Sequence, residues 1–200
     1  SGALDSFSWS LDPEAHTYFT MTATAMDGIQ FTERLGQLRA TGARLLGQRQ
    51  AGIDDRLTLP RLLVNAQDSH ERVRTALGKA MAADPAFRQA LQGPLAQLQQ
   101  GLQAFAELTL AELVKAEAYG HDPNAYFRAA TAVIQQQFAL NEAGTALIVP
   151  ELEARAANVR RSVIALLAAC VVLTLACGTF GVAFARHTLA ALAEARATAE

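Results

Sequence analysis

Few side chains in this 200-residue chain are placed to hold a small ligand, and those few are spaced for helices. Arg39 lies between Gly36 and Gly42. Its planar guanidinium fork fits a carboxylate, and the two glycines let a neighbouring backbone come close. The plainer reading is a surface arginine paired with nearby acids. His70 falls on an apolar helical row, which makes it a candidate ligand donor or pH-sensitive group, against the alternative of a hydrogen-bonded core histidine. Tyr126, Arg128 and Asn141 share one predicted helix and could complete a pocket, although Arg128 suits a solvated face equally well. Ser/His/Asp motifs, paired acids in a cleft pattern, a glycine-rich phosphate loop and metal-ligand spacings are all missing. The chain therefore reads as a non-enzyme with no metal and no cofactor.

The elements that position these residues are predicted to be helices. Asp12-Pro13-Glu14, Asp84-Pro85 and Asp122-Pro123 each put an N-cap acceptor before a proline at the first helical position, where a missing N–H costs no helical bond. Leu59-Pro60 marks a fourth start. The predicted helices run from Pro13 to Gln48, Thr58 to Ala82, Pro85 to Ala118 and Pro123 to Arg161. Each carries one apolar row at steps of three or four. The first row is Tyr18, Thr22, Ala25, Ile29, Thr32, Leu35, Leu38, Gly42 and Leu45. The second is Leu59, Leu63, Ala66, His70, Val73, Leu77 and Ala80. The third is Leu91, Leu95, Leu98, Leu102, Phe105, Thr109, Leu113 and Ala116, a heptad-like seam. The fourth pairs Phe127, Ile134, Phe138 and Ile148 with the small residues Ala130, Gly144 and Thr145.

One stripe per helix and short connections around Asp84 and Gly120 predict an all-α, antiparallel four-helix bundle. Its first and fourth helices would each reach roughly 50 to 60 Å. Pro94 and Pro150 interrupt the pattern. At Pro94 the expectation is a short turn from Pro85 followed by the main helix. At Pro150 it is either a hinge in a signal path or a fresh helix start.

Composition supplies the remaining element. The chain is 51% apolar and 18% charged, with a mean hydropathy of +0.13, high for a wholly water-soluble domain. Val163 to Ala185 runs 23 positions without a charge, against the ~20 apolar residues that span a bilayer. Arg160 and Arg161 precede it and Arg186 and His187 follow, as expected at two interfaces. The predicted organisation is a helical sensor bundle over 1–160, a single transmembrane helix over 163–185 and the start of a cytoplasmic helix over 186–200. That last helix opens with His187, Leu189, Leu192, Glu194 and Arg196.

A cleavable leader is excluded for this segment by its position. The opening Ser-Gly without Met predicts a piece of a longer chain, and Phe7 and Trp9 suit either a membrane interface or a bundle end. A formal net charge of −2 with no Lys/Arg block excludes a nucleic-acid footprint. Cys170 and Cys177, the only cysteines, both fall in the apolar stretch, so no disulfide framework is available. Cys170, Thr174, Gly178 and Gly181 line one small-residue face that would admit a second copy, predicting a homodimer; the alternative is that small residues are simply common in such helices. Arginines on the two sides do not choose an orientation. Connectivity places the bundle outside, because its first helix starts near the membrane and its fourth returns to it.

The run LDPEAHTYFTMTATAMDGIQFTERLGQLRATGARLL, followed by further helices, one span and a charged helix, resembles the periplasmic sensor regions of bacterial methyl-accepting chemotaxis receptors and related sensor kinases. Leu11-Asp12-Pro13-Glu14, Leu35-Gly36-Gln37-Leu38-Arg39 and Gly42 carry the likeness most specifically. The resemblance implies an inner-membrane protein with its bundle in the periplasm and its C-terminus in the cytoplasm. It also implies a small-molecule or periplasmic protein ligand, small anions or acids being held between helices by arginines, and a chemotaxis, histidine kinase or diguanylate cyclase output. RHTLAALAEARATAE departs from the pattern, having none of the prolines that usually open a HAMP relay. Two rivals are a membrane-anchored scaffold that binds a partner protein, and a spacer whose ligand site lies before Ser1.

Overall fold

A computed structural model of the chain describes residues 15–197, with side chains from 15 to 182 and at Phe184 and Arg186. Every regular element among them is helical: α1 (Ala15–Met21), a π-helical stretch (Thr22–Asp27), α2 (Gly28–Gln48), α3 (Ile53–Ala83), α4 (Pro85–Thr109), a second π-helical stretch (Leu110–Val114) and α5 (Pro123–Ala197). The chain divides into two compact units, one ending at Pro150 and the other beginning at Glu151. The Asp12-Pro13 start, Phe7 and Trp9 lie outside the described residues.

Two of the expected caps form. The Asp84 carboxylate accepts the Ala86 N–H at 2.7 Å. That of Asp122 accepts the N–H groups of Asn124 and Ala125 at 3.0 and 3.1 Å. The Leu59-Pro60 start is corrected, since α3 begins at Ile53 and passes through Pro60. The stronger signal lies upstream, where the Asp55 carboxylate accepts the Gly52 N–H at 3.1 Å and the Arg44 guanidinium at 2.6 Å. Arg44 holds the Asp55 carboxyl below its ordinary range, with the Gly52 N–H adding to the effect. The expected turn before Pro94 is also corrected, because α4 runs through it. Helix α5 likewise runs through Pro150, so no fresh start occurs there.

The core of the first unit is built from leucines and alanines with Phe31, Phe87, Phe105 and Tyr126 among them; the whole predicted α3 row is buried, as is the α4 row from Leu91 to Leu113. Ala116 is only half-buried, because the chain leaves the helix once the Lys115 N–H bonds the Leu110 carbonyl at 2.9 Å. On α2 the expected row holds from Leu35 onward but fails before it: Tyr18 and Ile29 are 58% and 60% exposed. The buried row is instead Thr20, Thr24, Gly28, Phe31 and Leu35. Its two successive four-residue steps carry one residue more than a heptad rhythm, a stutter that the π-helical stretch absorbs. Threonines loosen the same turns, since Thr20, Thr22 and Thr24 donate to carbonyls four residues back at 2.8, 3.0 and 2.9 Å.

The fourth row needs a similar correction. Phe127 and Phe138 are 43% and 56% exposed; the predicted Ala130, Ile134, Gly144 and Ile148 are buried, and with them Tyr126, Val133, Gln137 and Leu140. Small residues set how closely α5 approaches. A Cβ at Gly42 would enter the Tyr126 ring, and one at Gly144 would meet the Thr24 Cγ2 at 2.9 Å. Contacts of Gly42 with Tyr126 and Gly28 with Gln137 run in opposite chain directions, so α5 up to Pro150 is antiparallel to α2. Those of Thr109 with Tyr126 and Gly101 with Gln136 make it antiparallel to α4 as well.

Candidate functional site

The five candidate ligand residues occupy different places. Arg39 reaches from α2 to α5, donating to Thr131 Oγ1 at 3.1 Å and lying 4.4 Å from the Phe127 ring centroid. Its Nε is buried without a partner among the described residues. Gly42 does admit a neighbour, the Tyr126 ring, whereas Gly36 faces open space. Tyr126 is wholly buried and packs 5.1 Å from the Phe105 ring. Thr109 already donates its one hydroxyl proton to the Phe105 carbonyl at 2.8 Å, so in the 3.1 Å pair between Thr109 and Tyr126 the phenol is the donor. Burial pushes the Tyr126 phenol up to about 12, against a smaller downward pull from Thr109.

Arg128 is exposed and pairs with Asp122 at 3.8 Å. Asn141 accepts from Gln137 Nε2 at 2.7 Å, and both pack against Gly28. Fifteen positions separate Tyr126 from Asn141, about 22 Å along a helix. The two therefore do not share a pocket.

His70 stands on the core row of α3, 7% exposed, with its ring 5.6 Å from that of Phe31. Both ring nitrogens are buried without a hydrogen-bond partner among the described residues. Burial lowers its pKa, Glu71 pulls it up and Arg74 pushes it down. Gln137, absent from the sequence-based candidates, is fully buried with an unpartnered Oε1. Phe31, which His70 meets, lies one turn from Gly28, against which Gln137 packs.

A concave site lies elsewhere, in a groove of about 300 Å³ between α1, the first π-helical stretch and α3. Its walls include Tyr18, Phe19, Asp27, Arg72, Thr75 and Lys79. Arg72 spans the cleft, its Nε 3.5 Å from the Asp27 carboxylate and its NH2 2.9 Å from Ser69 Oγ and 3.2 Å from Gln30 Oε1. Glu71 holds Arg74 through two bonds of 2.6 and 2.7 Å, which keeps its carboxyl below the ordinary range. The Lys79 ammonium rests 5.1 Å from the Phe19 ring centroid, and Phe19 meets Tyr18 edge-on at 5.4 Å. Sequence reasoning missed this groove because it put Tyr18 on the core face. Lys79 nine residues after His70, two turns beyond Arg72, was the available signal.

In the second unit, every described side chain from Asn158 to Val182 is exposed. Among the described residues, one helix is long and apolar enough to cross a membrane. Cys170, Thr174, Gly178 and Gly181 are all exposed on it, with Thr174 donating to the Cys170 carbonyl at 2.8 Å. Comparison with protein-family models, curated proteins and solved structures yields no match.

Proposed function

We propose that the chain is the input module of a dimeric bacterial transmembrane receptor. In this reading an antiparallel four-helix bundle over 1–160 stands in the periplasm, 163–185 crosses the inner membrane once, and the C-terminal residues enter the cytoplasm. The observation that carries it is the continuity of α5 from Pro123 to Ala197. This one helix supplies Tyr126, Val133, Leu140 and Ile148 to the core, then exposes Leu166, Leu173 and Phe180 further along. A cue that moves α5 against its neighbours moves the apolar segment too, and helix shifts of roughly 1 to 2 Å are typical of such switching. The small-residue face from Cys170 to Gly181 supports a second copy in the membrane. The likeness of residues 11–46 to chemoreceptor sensor regions supports the class, and Pro150 is the proposed hinge.

Two measurements on membranes of expressing cells test this. Mild oxidation is expected to crosslink copies through Cys170 or Cys177, and no crosslink under any condition rejects the dimer. A cysteine introduced at exposed Arg88, with both native cysteines replaced by serine, is expected to react with a membrane-impermeant maleimide in spheroplasts. Reaction only after lysis would put the helices in the cytoplasm and overturn the orientation.

The exposed Ile29 and Phe138, at 60% and 56%, favour a second reading, an anchored scaffold whose helical unit binds a partner protein. Replacing both by serine separates the two readings. Loss of a co-purifying protein with crosslinking intact favours the scaffold.

A further inference from the structure

We propose that the groove between α1, the first π-helical stretch and α3 binds a small aromatic monocarboxylate, with Lys79 as the anchor for its carboxylate. At about 300 Å³ the groove lies at the low end of ligand pockets, roughly 300 to 1,000 Å³, which suits a single ring bearing one acid. Its charges cancel except at one place. Arg72 is engaged by Asp27, Ser69 and Gln30, and Glu71 by Arg74. Lys79 pairs with no carboxylate among the described residues, and its ammonium rests over the Phe19 ring. An incoming carboxylate would give that ammonium a charge-assisted bond, within reach of the exposed Thr75 hydroxyl one turn away.

The body of the ligand is argued from the wall. Tyr18 is 58% exposed and meets Phe19 edge-on, leaving aromatic surface that a planar ring covers in the offset or edge geometry such rings prefer. Asp27 and Glu71 line the other end and are already engaged by Arg72 and Arg74, so a second carboxylate would find no free cation there and the pattern selects monoacids over diacids. The wall is also where the helix departs from α geometry. Single-turn π-helical insertions recur at functional sites, and this one begins three residues after Phe19 and itself supplies Thr22 and Asp27 to the wall. Binding does not depend on the receptor reading, so the two stand or fall separately.

The test uses the full chain in lipid nanodiscs and equilibrium dialysis with radiolabelled benzoate, with empty nanodiscs as the blank. Saturable one-site binding is expected. Lys79→Gln, a change at an exposed position, is expected to weaken it by about tenfold, the equivalent of one charge-assisted bond. Lys79→Arg should bind within about threefold of the unaltered chain, since the charge is retained. Lys115→Gln should leave binding unchanged, while benzamide and succinate should compete poorly. Absence of saturable benzoate binding overturns the proposal. So does equal binding by the Lys79→Gln chain, or competition by benzamide as strong as by benzoate.

Discussion

At the scale of single residues, His70 has the sharpest consequence, because a buried ring with both nitrogens unpartnered is held neutral by its surroundings. Its pKa lies below the ordinary 6.5. Above that value the ring is neutral in both folded and unfolded chains. As pH falls through 6.5 the unfolded chain takes up the proton first, so stability falls, and the loss levels off only below the lowered folded-state value. Asp55 and Glu71, also lowered, lose their contribution in a more acidic window. His70→Leu is therefore expected to flatten the loss that sets in as pH falls below 6.5 and to raise stability at neutral pH by roughly 1 kcal/mol, by removing unsatisfied buried nitrogens. Denaturant midpoints of the detergent-solubilised chain at several pH values check this, and parallel pH profiles for the two chains would count against it. The position of His70 on a core row was legible from spacing alone. Its lack of partners was not, because that depends on what three other helices place opposite it.

Elements were legible where local chemistry alone decides them. Asp84-Pro85 and Asp122-Pro123 fix their helix starts through carboxylates that satisfy nearby N–H groups, and strict alternation of three- and four-residue steps marked the α3 core face except for Ser69 and Ala76 beside it. The first row lost its register between its two ends: Ile29, Thr32, Leu35 and Leu38 follow one another in three consecutive steps of three, which no single helical face sustains, so the residues before Leu35 were assigned to the wrong face. The buried path through Gly28 was hidden because a glycine contributes no apolarity, although the Gln137 amide packs against it. Pro94 deceived in the opposite direction. It sits in the second or third turn of α4, where its ring costs a hydrogen bond to the Ala90 carbonyl, yet Leu91, Leu95 and Leu98 on the same face are buried. Packing overrides the local penalty. Pro94→Ala is accordingly expected to stabilise the protein by about 1 to 3 kcal/mol, limited by the extra freedom of the unfolded chain. Slower amide exchange across α4 would accompany it, and unchanged exchange would show that the proline is already accommodated.

At the scale of the whole molecule, composition already placed the apolar excess at Val163 to Ala185, and the described side chains there are exposed to at least Val182. A band of that kind is stable in lipid and unfavourable in water, where each exposed leucine forgoes about 1.5 to 3 kcal/mol of burial. The membrane reading thus makes a demand that a soluble packing of the same helix does not. Replacing Leu173 and Leu175, which flank the middle of the band, with lysine should cost roughly 6 to 8 kcal/mol of insertion free energy. The chain should then move from the carbonate-resistant membrane fraction to the extractable one. Leu57→Lys, at a position 70% exposed on α3, should leave partitioning unchanged, because that leucine already faces solvent. Retention of the double-lysine chain in the carbonate-resistant fraction would mean that some other part of the protein holds it to the membrane, and would remove the support that the apolar band of α5 lends to the proposed receptor.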